Sequence, residues 1–252
     1  MKPEAAAYYS SLAPFRSLFA GGNPILTYHK LGPRPGGVRL KGLYLGQSLF
    51  SRQLIELRKA GFESGLLTEC AGTLQPKRIV LTFDDGYTNV LRYGLGPLAQ
   101  VRYVAVQFLV ADLLGKSNQW DVPLGEAQEP MMDASQVEEW LAAGHDIGSH
   151  TLTHPYLTRL TRQQAAEEIM ASRKKLEDLF GRPIEHFCYP FGDWNEEVRD
   201  LVIEAGYKTA CTTDAGVNTP SVSPYELKRF TARYPSRNLK AVWARFRARV
   251  LT

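Results

Sequence analysis

Four side chains carry the first chemical suggestion. Asp84 and Asp85 are adjacent, and His150 and His154 lie four residues apart. Two imidazoles and one carboxylate make a facial set of three donors that leaves positions open for water and substrate. Catalytic metal sites need that vacancy, whereas structural zinc sites fill it. Each half of the set is weak alone. Asp-Asp-Gly is a common turn, and an isolated His-x-x-x-His more often reflects packing or surface polarity than ligation. A spacing of four brings both rings to one side of a helical turn. Pro155 disfavours a longer helix starting there, so the sequence predicts a single turn that presents both rings.

The elements that must position these residues are strands. Ile79-Val-Leu-Thr-Phe83 is an apolar, β-branched run that stops abruptly at Asp84-Asp85-Gly86, as a strand buried on both faces does. In α/β folds chemistry collects at the carboxyl ends of strands. Neighbouring strand residues point to opposite sides, so the two carboxylates are expected to have different jobs. His145–Ser149 reads as the short strand that delivers His150, and Pro24–His29 as an opening strand that ends on a third histidine. Further strands are expected at Val104–Val110, His186–Tyr189, Tyr207–Thr212 and Leu227–Ala232.

Between them lie helical patterns. Ser48–Ala60 has Phe50, Leu54 and Leu57 on one face and Gly61 as a stop. Tyr87–Ala99 is interrupted by Gly94, Gly96 and Pro97. Asp133 caps a helix with Val137, Trp140 and Leu141 inward. Thr161-Arg-Gln-Gln164 is a capping box for a helix with Ala165, Ile169, Leu176 and Leu179 inward, ended by Gly181 and Pro183. Asn195 caps another, carrying Val198, Leu201 and Val202 and stopping at Gly206. The long loop Ala111–Met132 is of a length that usually serves a site. Strand and helix alternate about seven times, which argues for one parallel α/β domain over residues 1–252, an incomplete barrel rather than a flat doubly wound sheet. Residues 1–23 read as a helical extension with Tyr9, Leu12, Phe15 and Phe19 on its apolar face. Residues 233–252 read as a basic helix, packing Leu239, Val242, Trp243 and Phe246.

Bulk properties remove several function classes. A hydrophobic content of 44% and a charged content of 22% over 252 residues are those of an ordinary globular chain with a full core. A net charge of +4 is too mild to argue for a nucleic-acid partner. From Leu227 to Thr252 there are eight Lys or Arg and no Asp or Glu; we read these as the solvated face of the terminal helix, complementing its dipole. Cys70, Cys188 and Cys211 are too few and too scattered for a disulfide framework. Neither a phosphate-binding loop nor Gly-x-Gly-x-x-Gly occurs. No signal-peptide pattern opens the chain and no stretch is long and apolar enough to span a membrane. The default expectation for location is cytoplasmic, with an extracytoplasmic place left open, and the sequence says nothing of oligomeric state.

Thr82-Phe-Asp-Asp-Gly86 and Ser149-His-Thr-Leu-Thr-His154, in that order, resemble the first two motifs of the polysaccharide deacetylases, carbohydrate esterase family four. Phe187-Cys-Tyr-Pro-Phe-Gly192 resembles a divergent third motif. The similarity runs from about Pro24 to Phe230, and Ile25-Leu-Thr-Tyr-His29 is similar to the opening strand of the circularly permuted poly-N-acetylglucosamine deacetylases. The resemblance implies a distorted (β/α)7 barrel. It makes Asp84 the general base and Asp85, His150 and His154 the ligands of a divalent metal, Zn²⁺ first, with Co²⁺, Ni²⁺, Mn²⁺ or Fe²⁺ as alternatives. It also makes the backbone N–H of Phe191 an oxyanion donor.

Two departures stand out. Cys188 and Tyr189 occupy the place where the family carries an arginine that orients the base, and Arg229 on a late strand is the substitute we nominate. No histidine follows His186 to serve as the late acid. The permuted relatives imply His29 for that role, against the alternative of a packed core histidine. Tyr189, Pro190, Phe191, Gly192, Trp194, Trp120 and Arg229 complete the candidates for substrate contact, since aromatic faces suit sugar rings; for the aromatics other than Phe191, core packing is the competing reading. The expected activity is metal-dependent N-deacetylation of N-acetylated amino-sugar glycans with release of acetate. The alternatives are a deformylase or amidase acting on a small or lipid-linked amino sugar, and an inactive carbohydrate-binding protein.

Overall fold

The computed structural model describes residues 8–70 and 73–235. Its strands begin with β1 (Tyr8–Tyr9), β2 (Ile25–Tyr28), β3 (Lys30–Leu31), β4 (Tyr44–Leu45), β5 (Glu63–Ser64) and β6 (Arg78–Phe83). They continue with β7 (Val106–Leu109), β8 (Asp146–Ser149), β9 (His186–Cys188), β10 (Thr209–Cys211) and β11 (Phe230–Ala232). The helices are α1 (Arg16–Ala20), α2 (Gln47–Lys59), α3 (Leu67–Cys70), α4 (Thr88–Val101), α5 (Ala134–Ala142), α6 (Arg162–Phe180) and α7 (Glu196–Glu204).

The main sheet runs β1-β11-β2-β6-β7-β8-β9-β10, with β5 added on β6, and its strand pairings are parallel. It curls until its ends meet. The Thr212 N–H donates to the Leu227 carbonyl and the Leu227 N–H to that of Ala210. A few residues on, Phe230 and Thr231 pair with Leu26 and Thr27 of β2. One segment, 224–232, therefore bridges the two sides and completes the distorted (β/α)7 barrel that the resemblance implies.

Strands buried on both faces dictate this form. Every residue of β2 and β7, and all of β6 after Arg78, is buried. Alternate positions face inward and outward. Ile25, Val80, Val106, Phe108, Cys188, Cys211 and Leu227 pack together inside the barrel. Leu26, Leu81, Phe83, Leu109, Ile147 and Phe187 face the helices. Helix starts follow local chemistry: Asp133 with Gln136 and Thr161 with Gln164 form complete capping boxes, and Asn195 accepts the Val198 N–H. Each cap of this kind is worth about 1 kcal/mol.

Several expectations need correction. Residues 8–20 do not form one amphipathic helix. Tyr8–Tyr9 pair with Thr231 and Ala232 as a strand, and only Arg16–Ala20 is α-helical. The apolar pattern instead feeds an aromatic cluster in which Phe15 meets Phe230 edge-on at 5.2 Å and Phe19 meets Phe62 at 6.1 Å. Helix α4 continues through Pro97 to Val101. Leu179 is 46% exposed, because the inward row of α6 runs through Ala165, Ile169, Ser172 and Leu176 and continues to Phe180 instead. The terminal helix expected at 236–250 lies outside the described residues. Among the described residues no helix is long and apolar enough to cross a membrane.

Candidate active site

The chain leaves β6 through a sharp reversal. Asp85 has φ 77° and Gly86 φ 89°, the left-handed region that a non-glycine residue enters only at a cost. That reversal sends the two carboxylates apart. Asp84 turns to the barrel axis and Asp85 to the loop after β8.

Asp84 meets the head of Arg229, which enters from the segment before β11. The contact is two-pronged: Nη1 donates to Oδ1 at 2.7 Å and Nη2 to Oδ2 at 2.8 Å. The rest of the guanidinium is also committed, to Thr27 Oγ1 (3.1 Å), Thr82 Oγ1 (3.0 Å), the Thr212 carbonyl (2.8 Å) and Cys188 Sγ (3.1 Å). Both partners are almost fully buried, at 1% and 3% exposure. Burial pushes the Asp84 carboxyl up, but the Arg229 charge, with help from His29, outweighs it and holds the group below the usual carboxylate range. Losing one partner of such a pair costs about 3–5 kcal/mol, because the other charge is stranded.

Asp85 faces two imidazoles. Its Oδ1 lies 3.3 Å from His150 Nε2 and 3.4 Å from His154 Nε2. Burial raises its pKa and the two rings pull it well below the usual value. The expected helical turn between the histidines is absent. His150 extends the ladder by donating its N–H to the Leu109 carbonyl at 2.8 Å. The chain then turns through Thr151 (φ 69°) and His154 (φ 66°), with Thr151 Oγ1 accepting the His154 N–H. Two left-handed residues bring the rings together, where the spacing of four suggested a helix.

The donor set fits a divalent cation. Asp85, His150 and His154 offer atoms within 4.8 Å of one another. His150 Nδ1 donates to the Cys188 carbonyl at 2.7 Å, which leaves Nε2 as the ligating nitrogen. A second convergence, Asp84, His150 and Cys188, meets the same distance criterion. Arg229 binds two of its three members, so a cation there would sit against a fixed positive charge; electrostatics favours the Asp85 set.

His29 follows β2, with Nε2 3.8 Å from Asp84 Oδ2 and a side chain 19% exposed. Its pKa is lowered by burial, with Asp84 and Asp85 opposing. The long loop after β7 supplies Trp120, whose ring stacks on His154 at 4.2 Å and 24°. That loop is anchored by a pair the sequence reading missed. Lys30 Nζ lies 3.8 Å from Asp121 Oδ2, fully buried between the rings of Tyr44 and Tyr87. The signal available was Lys30 itself, a charged residue in an apolar stretch beside His29.

The substrate candidates divide. Phe191 is 39% exposed and sits at φ 59°, its ring against His154 at 4.4 Å and 69° and parallel to Tyr156 at 4.0 Å and 7°. A non-glycine residue in that conformation costs on the order of 1–3 kcal/mol. Gly192 follows at φ 71°, and a Cβ there would strike Thr213. Trp194 is half-buried and stacks loosely on Tyr189, with centroids 5.9 Å apart. Tyr189 and Pro190 are buried, and the Tyr189 hydroxyl donates to the Tyr225 carbonyl at 3.0 Å. Arg229 spends its whole head on the barrel interior. Packing thus takes Tyr189, Pro190 and Arg229 away from any groove wall, contrary to the substrate contacts expected of them. Tyr156 escaped the sequence reading because one tyrosine after His-Pro carries no pattern.

His145 and His186 stand away from this cluster, at the amino ends of β8 and β9. His145 packs on Trp140 at 4.2 Å, and His186 Nδ1 hydrogen-bonds Thr209 Oγ1 at 2.8 Å. Both are structural in their contacts.

Comparison with known proteins bears on the fold and the family. The polysaccharide deacetylase family model matches residues 71–210, more than half of the chain. YxkH of Bacillus subtilis is 26% identical over 212 residues, 82% of this chain and 70% of that protein. Peptidoglycan-N-acetylglucosamine deacetylase PgdA of Listeria monocytogenes is 28% identical over 170 residues, 68% of this chain but only 32% of PgdA. Among solved structures, BC0361, a polysaccharide deacetylase from Bacillus cereus, superposes with a TM-score of 0.72 at 24% identity, covering 88% of this chain and 68% of that one.

Proposed function

The chain belongs to the polysaccharide deacetylase family, and from that premise we propose that it hydrolyses the N-acetyl groups of N-acetylated amino-sugar glycans, releasing acetate and a free amine. The observation that carries the reading is the pairing of two environments at one strand end. One carboxylate, Asp85, shares its oxygen with two imidazoles, while its neighbour Asp84 is kept ionised by a buried arginine.

In this reading Asp85, His150 and His154 hold a divalent cation, Zn²⁺ in the first instance. When bound, that ion supplies positive charge that polarises the acetyl carbonyl and acidifies water. Asp84 accepts the proton of the attacking water, a task its low pKa keeps it ready for. The Phe191 N–H donates to the oxygen that becomes negative in the tetrahedral state. His29 gives a proton to the amine nitrogen as the C–N bond breaks. The proton that Asp84 takes from water passes to neighbouring His29, 3.8 Å away, which delivers it to nitrogen, so both groups are restored and the acyl carbon leaves with the water oxygen as acetic acid, ionising to acetate in solution. Arg229 contributes by holding Asp84 oriented and charged, replacing in space the arginine missing from the third motif. Trp120 and Phe191 flank His154 and offer aromatic surface to a sugar ring.

The test is acetate release from N-acetylglucosamine oligomers of increasing length, with chelator and after readdition of single divalent cations. Turnover that chelator abolishes and Zn²⁺ restores is the expected result. Hydrolysis indifferent to chelator would remove the metal from the mechanism. Asp84→Asn should bind the cation as wild type does, measured by calorimetry, yet lose turnover by about 10²–10⁴-fold. Full activity in that variant would take Asp84 out of the reaction.

A further inference from the structure

We propose that Tyr156 is a positioning residue for the deacetylation: its ring clamps that of Phe191, and so fixes the Phe191 N–H relative to His154. The inference rests on the reading above, in which that N–H meets the oxyanion, and deepens it.

Phe191 and Gly192 are consecutive left-handed residues, at φ 59° and 71°. Gly192 is at home there, but Phe191 needs outside support to stay. Its own burial gives little, since it is 39% exposed. Two rings do the holding. His154 lies 4.4 Å away at 69°, and Tyr156 lies parallel at 4.0 Å and 7°. Tyr156 is in turn fixed by the Arg159 guanidinium, 4.0 Å from its ring centroid. On the far side of the site Trp120 stacks on His154 at 4.2 Å.

The result is a continuous row of planar groups, Trp120, His154, Phe191, Tyr156 and Arg159, that runs from the loop after β7 across two others. The same two loops are joined a second time, where the Thr158 N–H and hydroxyl donate to the Asp193 carboxylate at 2.8 Å each. Pro155 stiffens the link between His154 and Tyr156. A proposed ligand and a proposed oxyanion donor are therefore indexed to each other through one exposed tyrosine. A wall that merely contacts sugar needs no such indexing, and the two roles differ in kinetics. Positioning acts on kcat, while sugar contact acts on KM.

The experiment compares wild type, Tyr156→Ala and Tyr156→Phe on N-acetylglucosamine oligomers with added Zn²⁺, alongside thermal unfolding. It also records the ¹⁵N–¹H resonance of the Phe191 amide in the metal-free protein. Tyr156→Ala should lower kcat by about tenfold, a fraction of what losing an oxyanion donor costs, with KM within about twofold and Tm unchanged. Tyr156→Phe should restore kcat, and the Phe191 amide should broaden in the alanine variant alone. A raised KM with kcat intact would assign Tyr156 to sugar binding and overturn the proposal. So would an unchanged kcat, or a phenylalanine variant that fails to rescue. If wild type releases no acetate, the functional reading fails while the amide resonance still decides whether the clamp exists.

Discussion

Asp84 has to be charged to act, and its surroundings argue both ways. Burial alone would keep it neutral, and Arg229 reverses that. Replacing Arg229 with Met removes the main opposition to burial and leaves only the weaker pull of His29 and His150, so the carboxyl should hold its proton to a higher pH. The acid limb of the kcat/KM profile should move up by roughly 1–3 units, the range a neighbouring opposite charge commands. Stability follows the same sign. A carboxyl depressed in the folded state stabilises it above the unfolded pKa, and that gain is lost as pH falls through the folded value. The variant should therefore lose part of the wild type's acid sensitivity along with its overall stability. The family resemblance made Arg229 the nominee for the charge beside Asp84, but nothing in the residues themselves displays the two-pronged contact. A sequence separation of 145 hides a contact that only barrel closure creates.

At the level of elements, local chemistry was readable and loop geometry was not. The caps at Asp133, Thr161 and Asn195 lie within four residues of their partners, so the sequence displays both halves. The turn that joins His150 to His154 depends on left-handed φ values at Thr151 and His154, which no spacing rule encodes. Strand β1 is two residues long and owes its existence to Thr231 and Ala232, so Tyr9 reads from sequence as part of a helical face.

Strand β8 offers a test of how such an element is stabilised. His145, at its entrance, is pushed by burial down to about 4. Its unfolded form binds a proton near 6.5, so the folded state should lose stability as pH falls from about 6.5 to about 4 and level off below. Urea midpoints should decline over that window in wild type, and His145→Gln should flatten the decline whatever its effect on packing at neutral pH.

The molecule as a whole is closed by residues 224–232 and by the aromatic cluster of the opening segment behind them. Phe15, 1% exposed and edge-on to Phe230, links the two. Phe15→Ala should cost about 3–5 kcal/mol, read from urea unfolding, although Phe15 itself is assigned no chemistry. The alternation of strands and helices sufficed to anticipate a barrel because parallel strands need helical crossovers. Where the seam falls was not legible, since Leu227 and Phe230 serve different neighbours within four residues. That seam has a consequence for how competence arises during synthesis. The cation for Asp84 emerges long after both histidines and both aspartates. A truncated or nicked product lacking the closing stretch would keep every metal donor yet have an unready base, so interrupted copies should be chemically silent.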